Sequence, residues 1–339
     1  MTTAHRLIGV AVGIAVLAVF LLLGPRPVSL SEERTGDEQI AAILRDNAER
    51  GHRTLTAFVY DNGEVTYGGL GADEYTEVEI GSATKTFNAE LVRQQIEEGA
   101  LSLETTVGEL IDVPGAPVAD VRIEELLNHT SGLDSMEGLG TGELLLANLR
   151  EGGNPYRDDT PEDILAAAAE ASVEGRGDRS YSNFGHALLG QLLARNAGTT
   201  YEELVRTRIF EPAGMTQTYL ATPAATADDP ARGVGSSGRR AEPWVMDGWA
   251  PAGAIRSTAA DMAAYAAWVA EHGRPDYAWS VYDAEGAAYP YHNGGTGGYR
   301  TMFVWDPDDE ARAAFVVNSS PADTEDLGVA LLTSTKEAQ

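Results

Sequence analysis

The chain has 339 residues, 43% of them hydrophobic, with 52 acidic against 24 basic side chains and a formal net charge of −28. That length and apolar content allow a full core, while the charge repels nucleic acid and anionic lipid and argues against a nucleic-acid partner. The sequence has no cysteine, which removes disulfides, thiol nucleophiles, thiolate metal sites and a lipidated-cysteine anchor.

The first element is apolar. Residues 7–24 run without a charge after Arg6, which is close to the length of a bilayer span. No small-x-small cleavage site follows in Pro25-Arg26-Pro27-Val28-Ser29. Residues 1–30 are therefore expected to be an uncleaved membrane anchor that holds residues 31–339 outside the cytoplasm. A cleaved signal peptide, releasing a secreted domain, is the alternative.

After a short stalk, Thr35-Gly36-Asp37-Glu38 fits a capping box opening a helix to about Arg50, with Ile40, Ile43 and Leu44 on one face. Residues 54–60 and 64–69 read as strands joined through Asp61-Asn62-Gly63, a hairpin signal because Asn and Gly tolerate positive φ. From about residue 82 to 269 the patterns are mainly helical or loop, with helices at 163–171, 185–195 and 261–271. Phe87, Leu91 and Val92 keep helical spacing toward a stop at Gly99. Residues 222–242 read as a long loop. Strands return at 277–282, 287–292, 299–305 and 311–318, and a last helix fits 324–335. Short turns between strands imply antiparallel pairing. The expected fold is α/β in the α+β sense. An antiparallel sheet from residues 35–80 and 272–339 is flanked by helices, and a helical subdomain over 81–271 is inserted. A cleft is expected where the two parts meet.

Chemistry concentrates in three places. Ser82 and Lys85 stand three apart at a helix start, on one face. A free serine is a weak nucleophile and needs a base or a cation beside it. Only Lys85 and Lys336 are lysines; every other basic residue is an arginine, which does not release its proton near neutral pH. Tyr181-Ser182-Asn183 precedes another helix. A nearby ammonium is expected to lower the Tyr181 pKa and suit it to proton transfer, while Asn183 offers a donor and an acceptor to a substrate amide. His292-Asn293-Gly294-Gly295 follows a strand, where glycine lets a substrate backbone approach. Each has a plainer reading: a chance serine–lysine spacing, a turn with an N-cap, and a structural histidine. No Gly-x-Ser-x-Gly elbow and no His-Glu-x-x-His spacing is present.

Together and in this order the elements resemble the serine β-lactamase and penicillin-binding superfamily, in the branch of class C β-lactamases, D-alanyl-D-alanine carboxypeptidases and esterases. The resemblance covers about residues 37–335. It rests on Ile80-Gly81-Ser82-Ala83-Thr84-Lys85-Thr86-Phe87, Glu125-Leu126-Leu127-Asn128-His129-Thr130-Ser131-Gly132-Leu133 and Tyr181-Ser182-Asn183. It continues in Ala252-Gly253-Ala254-Ile255-Arg256-Ser257-Thr258 and closes with His292-Asn293-Gly294. It implies a β-lactamase/transpeptidase-like fold, Ser82 as nucleophile, and Lys85 and Tyr181 as the proton-handling pair. Asn183, His292, Gly294 and Gly295 would bind substrate, with the Ser82 and Gly295 N–H groups as the oxyanion hole. His129 would be structural. No cofactor or metal is implied; the partner is a small-molecule or cell-wall peptide substrate. The third motif departs from Lys-Thr-Gly, and Asn293 and Gly295 stand where carboxypeptidases commonly place hydroxyl groups for a substrate carboxylate. Small esters are therefore expected to be cleaved faster than penicillins or D-alanyl-D-alanine peptides. The rival from a different class is a non-catalytic penicillin-binding-like receptor or cell-wall ligand-binding module.

Overall fold

The computed structural model describes residues 12–14, 24–148, 150–156, 158–284 and 286–336. The segment read as an anchor, residues 7–24, lies outside the described residues apart from 12–14 and 24. Among the described residues, no helix is long and apolar enough to cross a membrane.

Seven strands form one sheet: β1 (Arg34–Gly36), β2 (Leu55–Asp61), β3 (Glu64–Leu70), β7 (Ser280–Ala284), β8 (Ala287–Gly295), β9 (Arg300–Trp305) and β10 (Arg312–Asn318). Their order is β1-β3-β2-β10-β9-β8-β7, and every pairing is antiparallel. The first hairpin and the last strands thus share a sheet, as the sequence pattern implies. Asn62 and Gly63 turn the β2–β3 hairpin with φ of 50° and 93°. Such positive angles match the twist of the flanking strands.

The central strands alternate between two apolar faces, as a period of two demands. Leu55, Ala57 and Val59 of β2 join Met302, Val304, Ala314 and Val316 beneath α1 (Glu38–Asn47) and α6 (Glu325–Lys336). Phe58, Phe303, Trp305 and Phe315 point to the other face. There α5 (Ala259–His272) lies against β2 and β10, and Tyr265 stacks on Phe87 of α2 (Lys85–Glu97) at 4.0 Å. Each fully buried aromatic contributes up to about 3 kcal/mol of hydrophobic stabilisation.

Three local expectations change. Thr35 belongs to β1 and donates to the Ala72 carbonyl at 2.6 Å. The cap of α1 is Asp37, which accepts from the Gln39 and Ile40 N–H groups at 2.9 and 3.0 Å. A carboxylate next to the first turn serves the same orphan donors better than a residue already held in a strand. The helix then ends at Asn47. β4 (Val78–Glu79), at the end of the span expected in the main sheet, instead joins β5 (Tyr219–Leu220) and β6 (Ile255–Ser257) of the middle span in a second small sheet, its strands too short to show alternation in sequence.

The remaining helices include α3 (Pro161–Glu170) and α4 (Asn183–Asn196). In α4, Phe184 through Ala194 are buried without a break. The helix is covered on every side, its buried Gln191 donating to the Gly248 carbonyl at 2.9 Å, and it carries Asn183 into the cleft on its first turn.

Candidate active site

Ser82 sits on the single 3-10 turn Gly81–Thr84 that leads directly into α2. β4 and β6 fix the chain just before it, with Ile80 N–H donating to the Ile255 carbonyl at 3.2 Å. On its other side lies β8. A Cβ built on Gly81, whose φ is +53°, would fall 2.7 Å from the Gly295 nitrogen. One built on Gly294 would fall 2.0 Å from the Ile80 oxygen and 3.2 Å from the Ser82 nitrogen. Only glycine lets these two backbones meet, so the nucleophile turn and the end of β8 are in direct contact.

Lys85 and Tyr181 converge on Ser82. The Lys85 Nζ lies 3.1 Å from Ser82 Oγ, and it also donates to Asn183 Oδ1 at 2.9 Å and to the Ala252 carbonyl at 2.6 Å. The Tyr181 hydroxyl donates to Ser82 Oγ at 2.8 Å, and the ammonium lies 5.1 Å from the Tyr181 ring centre. Lys85 is completely buried with neutral acceptors around it, and burial pushes its pKa down to about 7. Tyr181 goes the opposite way from the expectation. Although its ring is 40% exposed, desolvation of its hydroxyl, opposed by the Ser82 hydrogen bond and Arg179, raises its pKa to about 12. Because Lys85 loses its proton near pH 7, it carries no charge at the higher pH where a Tyr181 phenolate would form.

The Tyr181 segment is held from below. Ser182 caps α4 by accepting from Gly185 N–H at 2.9 Å, and its own N–H donates to His129 Nδ1 at 3.1 Å. The His129 ring lies 4.4 Å from the Tyr181 ring and 4.8 Å from that of His186. Burial first, then the nearby Lys85 charge, depress the His129 pKa to about 3, so it is a neutral prop, in keeping with the structural role expected of it. Asn183 is engaged at both ends: its Oδ1 accepts from Lys85 and its Nδ2 donates to the Tyr156 hydroxyl at 3.2 Å.

His292 is buried, and its Nδ1 is 2.7 Å from the Asn293 carbonyl. Burial, reinforced by Lys85, lowers its pKa to about 3, so it supplies no positive charge near neutral pH. Asn293 spends its amide on Glu325 Oε1 at 2.6 Å. Two cavities open here. One of about 480 Å³ is bordered by Arg179, Tyr181, Tyr291 and His292. Another of about 540 Å³ is bordered by Gly295, Thr296, Gly152 and Trp244. A larger space of about 780 Å³ between α3 and α4 contains none of the residues around Ser82.

All seven residues singled out by sequence thus gather around one cleft. Sequence reading missed Tyr156, the Ala252 carbonyl and Arg179. Ala252 lies in a quoted motif, but a backbone oxygen leaves no signature in side-chain identity. Tyr156 lies in a turn and Arg179 in an irregular segment, with no periodicity to mark them.

A serine with a buried lysine and a tyrosine at hydrogen-bond distance, beside a strand of an antiparallel sheet, defines the class: a serine hydrolase. Residues 40–336 match the family model described as Beta-lactamase. The chain belongs to the Beta-lactamase family. It is 27% identical over 289 residues to "Penicillin-binding protein 4" of Amycolatopsis lactamdurans, covering 71% of this chain and 72% of that protein. With "Penicillin-binding protein 4*" of Bacillus subtilis it shares 31% identity over 142 residues, 42% of this chain and 30% of that protein. The structure of D-amino acid amidase from Ochrobactrum anthropi SV3, complexed with L-phenylalanine amide, superimposes with a TM-score of 0.70. That match is 20% identical and covers 88% of this chain and 98% of the other, a likeness of fold.

Proposed function

We propose that this chain hydrolyses small esters or D-amino-acid amides and peptides through an acyl-Ser82 ester. The observation that carries the reading is the meeting of Lys85 Nζ and the Tyr181 hydroxyl on Ser82 Oγ, at 3.1 and 2.8 Å. A lysine with a pKa near 7 is half amine at neutral pH. As amine it accepts the Ser82 proton while Oγ bonds to the substrate carbonyl carbon. The bond to the leaving oxygen or nitrogen then breaks, and that atom takes the Tyr181 proton. Lys85 then gives its proton to the Tyr181 oxygen, which returns both groups to their starting states. Water enters by the same steps in reverse and frees the acid. Tyr181, with its raised pKa, acts as the acid, and Lys85 acts as the base. The N–H groups of Ser82 and Gly295 receive the oxyanion, a role supported by the close approach of β8 to the nucleophile turn. Gly294 permits that approach, His292 walls the leaving-group side, and Asn183 orients Lys85.

The test is intact-mass labelling with a serine acylating agent. One adduct on Ser82, absent in Ser82→Ala, is expected; an adduct that persists on another serine refutes the assignment. We also propose that residues 7–24 anchor the catalytic domain outside the cytoplasm, on the strength of their uncharged length. Protease added to intact producing cells should digest residues 31–339, and full protection there would overturn this placement.

A further inference from the structure

The chain's charge poses a question for its cleft. A surface this acidic repels anionic substrates, His292 is neutral, and Asn293 is bonded to the carboxylate of Glu325. Three guanidinium groups border the two cavities: Arg150 and Arg300, at the cavity of about 540 Å³, each face a carboxylate, Glu242 and Asp323, both at 3.6 Å, while Arg179 borders the other. Arg179, two residues before Tyr181, is exposed and borders the cavity of about 480 Å³ that Tyr181 and His292 also line. Its Nη2 donates to Ser280 Oγ of β7 at 2.8 Å. Among the described residues no ion pair is recorded for it, whereas Arg122, Arg176 and Arg206 each pair with glutamates. Tyr291 borders the same cavity, so the guanidinium shares that space with Tyr181, Tyr291 and His292.

We propose that Arg179 is a specificity-determining residue that binds a carboxylate on the leaving portion of the substrate. The inference rests on the acyl-Ser82 reading, which assigns the leaving atom to Tyr181 and so to this cavity. A guanidinium offers paired N–H donors matched to a carboxylate. It supplies the anion-binding group that Asn293 and Gly295 lack. The preference expected from the third motif alone, esters over carboxylate-bearing substrates, therefore changes: the best substrate is an ester or amide whose departing half is anionic.

The experiment compares phenyl acetate with its meta-carboxylated counterpart, each rate divided by its rate of hydroxide hydrolysis. Wild-type protein should favour the carboxylated ester in kcat/KM by about tenfold or more, mostly through KM. In Arg179→Gln the ratio should fall to about one, and Arg179→Lys should restore part of it. Ser280→Ala, which removes the link to β7 but keeps the cation, should retain most of the preference. Equal loss in Ser280→Ala and Arg179→Gln would reduce Arg179 to a loop staple. In parallel, meta-hydroxybenzoate is titrated into Ser82→Ala protein with and without Arg179. Binding that depends on Arg179 while no ester is cleaved would remove the acyl-Ser82 reading and leave the anion site standing. A wild-type ratio near one, or meta-hydroxybenzoate binding indifferent to Arg179, overturns the proposal.

Discussion

Lys85 and Arg256 are both fully buried cations, and the protein treats them oppositely. Arg256 on β6 reaches Glu77 and Glu79, both at 2.7 Å, and its side chain is 1% exposed. Burial by itself lowers its pKa, but the two carboxylates outweigh that and hold it above the ordinary arginine value. Lys85, equally buried, hydrogen-bonds to a hydroxyl, an amide oxygen and a carbonyl, with no carboxylate among its partners, and its desolvation prevails. Neutral acceptors can orient a cation without securing its proton. The first arrangement braces the small sheet ahead of Ser82; the second makes a base.

The contrast can be broken at either end. The largest effect is expected from Lys85→Arg, which puts a permanent cation where a releasable one is needed. Turnover should fall on the order of 10²-fold or more. In wild-type protein acylation should rise about tenfold per pH unit below the Lys85 pKa of about 7 and level off above it. Stopped-flow acylation from pH 5 to 9 checks this, and a flat profile would remove the base role. Next in size is Glu79→Ala, which strands the Arg256 guanidinium in the interior. A loss of about 3–5 kcal/mol is expected from urea unfolding; a loss below ~1 kcal/mol would show that Glu77 alone suffices. The smallest effect is a pH-dependent stability gap between wild type and Lys85→Met. The folded pKa of Lys85 is depressed, so between about 7 and its unfolded value the unfolded chain binds more protons. Wild-type stability from this group therefore rises with pH, and the gap should shift in the Met variant's favour as pH falls from 10 to 7. Unfolding curves at pH 7.5 and 9.5 test the sign.

Much of this was legible in the chain itself. The Asn62–Gly63 turn sets one hairpin register because the two residues tolerate positive φ, which is local chemistry. The aromatic and β-branched runs at 299–305 and 311–318 mark strands, and both are buried along nearly their whole length. Ser82 and Lys85 announce themselves at one turn's separation. The second sheet was not readable, since strands as short as Tyr219–Leu220 carry no period.

What the sequence determined by itself is the inventory: a serine, one interior lysine, a tyrosine ahead of a helix, and glycines after a strand. Tertiary structure decided what each of them is. Tyr181 reaches Ser82 across 99 positions of chain, Asn183 and Ala252 seat Lys85 from two other segments, and β8 closes on the nucleophile turn. Desolvation depends on everything packed around a group rather than on its neighbours in sequence. For that reason the Lys85 pKa falls, the Tyr181 pKa rises against expectation, and Arg179 becomes a feature of the cleft only once the chain is folded.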